Sequence, residues 1–309
     1  MSRHSPVPNT VPVLRQLRTL CLALLVLGIG TLAHGQAFNI FSRERRIEPD
    51  FPSLPANHLK FYLKFAQPME RGEVFRHLRL VQIDTEGREI AEVPEPFREV
   101  ELWDGSMTRM TLWLHPGRQK PGVNLNVEIG PILEAGNDYR LEISERWRDE
   151  NGNALGTRIS YRFHAVPADL TQPAPEKWKI EVVDGVPRLL TYEQLDPSSS
   201  ISSIRCRRQE SKTPFVILPV FPNATTKLPY SLNHSVFELR VPDKEFPQTA
   251  LYPVAWPPGD YELVIDPKLE DLAGNSIARP FNLDLEKYPD FKERTEPVIL
   301  PFTIPERSK

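Results

Sequence analysis

Two pairs of adjacent acids, Asp149-Glu150 and Glu270-Asp271, are where chemistry would first be sought in this 309-residue chain. Paired carboxylates suit glycoside hydrolysis, one acting as acid and the other as base or nucleophile. A second candidate is cationic. Arg109, Arg118 and Lys120 lie close in sequence, and such a trio could hold a carboxylate, phosphate or sulfate. A third is Cys206, set between Arg205 and Arg207-Arg208, whose charges would lower the thiol pKa if it were exposed. The other sets that catalysis needs are missing. His58, His77, His115, His164 and His234 stand apart, in no His-x-His, His-Glu-x-x-His or Cys/His grouping, so no zinc site is expected. Gly105-Ser106-Met107 is not a nucleophile elbow. Neither a P-loop nor a dinucleotide fingerprint occurs. The sequence therefore predicts no enzyme, no metal and no cofactor.

The acid pairs sit in an internal repeat. Gly136-Asn-Asp-Tyr139 leads through Leu141, Ile143 and Trp147 to Asp149 and Gly152-Asn153. Gly259-Asp-Tyr261 leads through Leu263, Ile265 and Leu269 to Asp271 and Gly274-Asn275. In both copies Asp follows Tyr by ten positions and Gly-Asn by thirteen. Tyr, Leu and Ile at alternate positions predict a strand with one buried face. Gly and Asn tolerate positive φ and predict a tight turn. A second strand should follow each turn, from Arg158 to Phe163 and from Phe281 to Leu285. Asp149 and Asp271 are expected to accept from nearby backbone N–H groups as Asx turns. Neither loop has the ligand count of a calcium site. On turns of two separate domains, the two acid pairs would not share an active site.

Strand, Tyr-x-Leu-x-Ile, then Asp-x-x-Gly-Asn resembles the closing hairpin of bacterial Ig-like domains of the S-layer-protein type. Phe65-Ala-Gln-Pro68-Met69 resembles the opening strand of that module, and Tyr192-Glu-Gln-Leu195-Asp196 is a looser second version. The resemblance covers roughly residues 55–285. It implies an all-β chain with two tandem Ig-like β-sandwich domains, and it implies no activity. Leu-Trp-Asp, Thr-Arg-x-Thr-Leu and Pro-Gly-Arg-x-Lys also resemble segments of a subset of secreted bacterial Ig-like proteins, without a role for them.

Along the chain, residues 1–35 read as a signal peptide. A basic start with Arg3, Arg15 and Arg18 precedes a short apolar run, and cleavage is expected after Gly35. The run is shorter than the roughly twenty residues that span a bilayer. These 35 residues hold three of the 38 basic residues and no acid, leaving 35 against 41 and a net charge of −6. That balance does not favour nucleic acid. The expected mature chain keeps Cys206 alone, so stability must come from core burial. Residues 36–55 read as an extended linker, 56–166 as the first domain and 167–176 as a second linker. Residues 177–285 read as the second domain and 286–309 as an extended tail. Thirty-two prolines argue against long helices.

In the first domain Leu59, Phe61, Leu63 and Phe65 alternate with Lys60, Tyr62 and Lys64, the clearest one-faced strand in the chain. His115-Pro-Gly-Arg118-Gln-Lys120-Pro-Gly122 reads as a turn that could display Arg118 and Lys120 beside Arg109. In the second domain, Ser198 to Ser203 reads as a loop and Cys206 as a buried strand thiol. The functional expectation is a secreted, periplasmic or envelope-associated protein without catalysis. Its modules would act as a spacer or bind an envelope protein or polysaccharide. The alternative is an accessory or cryptic carbohydrate-active protein using exposed aromatics, with Trp113 and Trp147 out of phase with the apolar face. The sequence leaves the oligomeric state open.

Overall fold

The computed structural model describes residues 47–120, 122–211, 213–220, 235–241, 256–284 and 286–306, which belong to one compact unit. The expected signal peptide and the leader up to residue 46 lie outside the described residues. The architecture is all-β: among the described residues there are four sheets, and the helical segments between strands are short.

The first half contains β1 (Ile47–Glu48), β2 (Ser53–Pro55), β3 (Lys60–Lys64), β4 (Leu78–Ile83), β5 (Glu89–Glu92), β6 (Leu102–Trp103), β7 (Arg109–Trp113), β8 (Asp138–Ile143) and β9 (Ile159–Val166). They form two sheets, ordered β1-β3-β7-β6 and β2-β9-β8-β4-β5. One apolar cluster draws from both: Phe61, Leu63, Met110 and Leu112 from the first, and Leu80, Tyr139, Leu141 and Phe163 from the second. Strand β7 shows how the pattern works. Met110 and Leu112 are buried, while Arg109, Thr111 and Trp113 on its other face are half-buried. Strand β3 departs from expectation, because Lys60 and Tyr62 are buried as well as Phe61 and Leu63. Its second face is covered by the other half of the molecule.

The second half contains β10 (Lys179–Val183), β11 (Val186–Leu190), β12 (Ile204–Arg208), β13 (Phe215–Val216), β14 (Leu218–Val220), β15 (Val236–Arg240), β16 (Gly259–Ile265) and β17 (Val298–Ile304). The sheets run β10-β11-β15-β14 and β13-β12-β16-β17. A second cluster joins Leu189, Phe237 and Leu239 to Ile204, Cys206, Leu263 and Phe302.

Three sequence expectations need correction. The strand expected from Phe281 to Leu285 is absent among the described residues of that stretch. Strand β17, from the expected tail, takes its place beside β16. Pairing still matches the first copy. Tyr139 faces Phe163 and Ile143 faces Ile159, just as Tyr261 faces Phe302 and Ile265 faces Val298. Within β17, Pro301 lies on the sheet's outer edge, where a missing N–H costs no ladder bond and blunts the edge against further pairing. The segment around Ser198 is a helix, Pro197–Ser203, not a loop. Asp196 caps it by accepting from Ser199 N at 2.7 Å, and Pro197 fits the first turn. Finally, the stretch after His115 is not a hairpin turn. It forms two short helices, Pro116–Gln119 and Asn124–Ile129, on the crossover from one sheet to the other.

Candidate functional site

The cationic trio does not assemble as expected. Arg118 is only 2% exposed. Its guanidinium donates to the carbonyls of Gly130 at 2.9 Å and Pro131 at 2.8 Å, and also to Pro94 and Glu95. It is a strut that ties the crossover to the preceding loop, because those carbonyls have no ladder partners and need a donor. Burial lowers its pKa. Arg109 lies over the Tyr62 ring at 5.5 Å, and the Lys120 ammonium lies 4.8 Å from the centre of the Phe281 ring. The three residues thus have three different partners, and Arg118 cannot serve as a surface charge.

The aromatics do not form the anticipated platform. Trp147 is 1% exposed, wedged between Phe65 and Trp103, with His77 stacked on it at 5.6 Å. Its Nε1 donates to Glu70 O at 3.0 Å. Trp178 and Trp256 are buried. Trp113 is half-buried, its ring 5.8 Å from the Lys60 ammonium. A cleft of about 190 Å³ opens beside Trp147, walled by Glu70, Arg71, Glu73, Arg76 and His77. Its charges are of both signs, and Arg76 is already paired with Glu73.

Cys206 is fully buried, and burial pushes its thiol up to about 12, the opposite of an activated cysteine. The neighbouring Arg207 pairs with Glu262 at 2.7 Å. His164 Nδ1 sits 2.9 Å from Asp138 Oδ1, and Arg162 shares that carboxylate. No hydroxyl or thiol is hydrogen-bonded to this imidazole among the described residues. No group of three or more metal-binding side chains occurs among them either.

A buried polar constellation lies where the halves meet. The second repeat's turn, Asp271-Leu-Ala-Gly-Asn275, inserts into the first half. Leu272 belongs to the first half's core, and its carbonyl accepts from Leu59 N at 3.1 Å. Gly274 is needed twice over. Its φ is +79°, and a Cβ there would stand 2.3 Å from Leu59 Cδ1. Beside this plug, Lys60 Nζ lies 2.5 Å from Glu270 Oε2 and 3.8 Å from Asp196 Oδ2. The Tyr62 hydroxyl donates to the Asp196 carboxylate, 2.9 and 2.8 Å from its two oxygens. The expected linker is fastened here too. Asn57 exchanges two hydrogen bonds with the Asp169 backbone at 2.7 and 2.9 Å, and Asn275 Nδ2 donates to Asp169 O at 3.2 Å.

Burial sets the electrostatics of this junction. It raises the pKa of Asp196, with Lys60, the Ser199 N–H and Tyr62 pulling the other way. It pushes Asp271 up to about 7 and holds His58 neutral, down to about 3. Lys60 is also desolvated, but Asp196 and Glu270 outweigh that and raise its pKa. Sequence reading missed the junction. The one available signal was that Leu272-Ala273 stands where the first copy has Glu150-Asn151. An apolar turn tip is unexplained until something covers it.

No helix among the described residues is long and apolar enough to cross a membrane. No family model and no curated protein matches the chain. Among solved structures the chain is similar to the native conformation of E. coli alpha-2-macroglobulin, with a TM-score of 0.22 and 10% identity, over 69% of this chain and 12% of that one. A likeness that slight carries no argument about fold or activity.

Proposed function

We propose that this is a non-catalytic protein of the secretory route, periplasmic, envelope-associated or released. Its two halves are Ig-like β-sandwich modules that act together as a stiff spacer and present a surface to an envelope protein or polysaccharide. The observation that carries this reading is the junction: a turn of one half buried in the core cluster of the other, flanked by Lys60, Tyr62, Asp196 and Glu270. A flexible string of modules would not need to bury charged groups between its beads, since desolvating them is costly. A pair that must hold one angle does need interactions that fix orientation. Two supports come from the sequence: the signal-like first 35 residues and the absence of any recognised catalytic motif.

The test is binding of residues 36–309 to isolated peptidoglycan, outer-membrane polysaccharide and envelope protein fractions, beside a Leu272→Glu variant that unseats the plug. The spacer reading expects the variant to lose binding that needs both halves while each half keeps its own strand signature. Equal binding by both proteins would refute a role for the fixed geometry.

A further inference from the structure

The junction holds more acid than base. Three carboxylates, Asp196, Glu270 and Asp271, gather around one ammonium, Lys60, at the meeting of the two halves. From the first half, Lys60 and Tyr62 of β3 face Asp196, and Arg109 of β7 lies over the Tyr62 ring. His58 is buried beside them and neutral. From the linker, Asp169 adds a further negative charge that acts on Asp271. From the second half come Glu270 and the N–H donors of Ser199, Ala273 and Asn275. Lys120 is engaged with Phe281. Asp196 and Asp271 are almost wholly enclosed, and one lysine cannot balance them together with Glu270. Binding a proton is the simplest way to reduce the excess when the halves close.

We propose that the junction is a proton-linked clasp: closure takes up protons on the buried carboxylates, so the halves are held at one angle in mild acid and gain freedom as pH rises past neutrality. The inference rests on the spacer reading and adds its regulation. The sign follows from linkage. A carboxylate whose pKa is higher in the closed state stabilises that state as pH falls from its closed-state value, about 7 for Asp271, towards the ordinary carboxylate value. Lys60 works in the same direction, because a raised ammonium pKa stabilises the closed state until pH climbs through it.

The experiment is a spin-label distance measurement across the junction, with Thr85→Cys and Glu181→Cys as label sites, one exposed position in each half. The labelled protein is residues 36–309, which lack Cys21, and the native Cys206 is buried and does not compete for label. Distances are compared at about pH 5.5 and about pH 8.5, either side of the titration. The clasp expects a narrow distribution in acid and a broad one in base. It expects Asp271→Asn to lose most of that pH response. Asp196→Asn is the second variant, because asparagine keeps an oxygen for the helix cap, and it should also shrink the response. A narrow distribution at both pH values would overturn the clasp and leave the spacer standing. A broad one at both would overturn both. A full response in both variants would place the titration elsewhere and also end the proposal.

Discussion

The turns Asp149–Asn153 and Asp271–Asn275 are built alike and sit in opposite surroundings. In the first, Asp149 Oδ1 accepts from Asn151 N at 2.9 Å and Asn153 N at 2.8 Å, and Oδ2 accepts from Asn153 Nδ2 at 3.1 Å. In the second, Asp271 Oδ1 accepts from Ala273 N at 2.8 Å and Asn275 N at 2.9 Å, and Oδ2 accepts from Asn275 Nδ2 at 2.8 Å. The glycine has φ +82° in one and +79° in the other. Yet Asp149 is only half-buried, and its hydrogen bonds with Asn153 lower its pKa. Asp271 is 2% exposed, and burial raises its pKa despite the same donors. Local bonding therefore fixes the shape of the turn, and the environment fixes its electrostatics. The step from solvated turn to docking plug lies in two residues, Glu150-Asn151 against Leu272-Ala273.

The widest gap between the copies should come from swapping that pair. Leu272→Glu puts a carboxylate into the first half's core and should cost about 3 kcal/mol or more in urea denaturation. Glu150→Leu should stay within about 0.5 kcal/mol, as a surface change does. Equal losses would erase the distinction. Next come the glycines. Gly152→Ala meets only the positive-φ penalty, roughly 1 kcal/mol, whereas Gly274→Ala also drives Leu59 aside and should cost roughly 2 kcal/mol or more. The same denaturation midpoints would show it. Tyr62→Phe leaves Asp196 with one donor fewer and should cost about 1–2 kcal/mol. Pairing it with Asp196→Asn in a double-mutant cycle would show whether the two residues are coupled.

The smallest effect is in pH dependence, and it should differ in sign between the copies. Asp149 has a lowered folded pKa. It contributes stability above the unfolded carboxylate value, about 4, that fades as pH falls through its folded value. Asp271 has a raised one, so its contribution grows as pH falls from about 7 towards the unfolded value. Asp149→Asn should alter urea midpoints on the alkaline side of that range relative to strong acid, and Asp271→Asn should flatten the slope between mild acid and neutrality. The same slope in both variants would mean that burial does not separate the two aspartates.

The second copy's closing strand shows how far local pattern reaches. Phe281 to Leu285 followed its turn at the expected distance, as Arg158 to Phe163 followed the first. Nothing local reveals that Val298-Ile-Leu-Pro-Phe-Thr-Ile304 is the better partner. It presents Val298, Phe302 and Ile304 inward to the shared core, and its Phe302 stacks on Tyr261 at 5.5 Å. Phe281 is instead held beside the junction, its N–H bonded to Asn275. Arg118 teaches the same lesson with charge. Its neighbours Gly117 and Lys120 suggested a displayed cation, but four carbonyls from two distant loops turn it inward.

The sequence by itself determined what depends on near neighbours. Period-two alternation specified β7, β8 and β16. The Asp and Gly-Asn spacing specified both turns and their aspartate hydrogen bonds. The apolar alternation around Cys206 specified a buried thiol. Tertiary structure alone decided which copy is covered, which strand closes the second sheet, and where charges are buried. Those outcomes turn on desolvation and on pairing between segments far apart in the chain. A residue's own sequence neighbours carry little record of either.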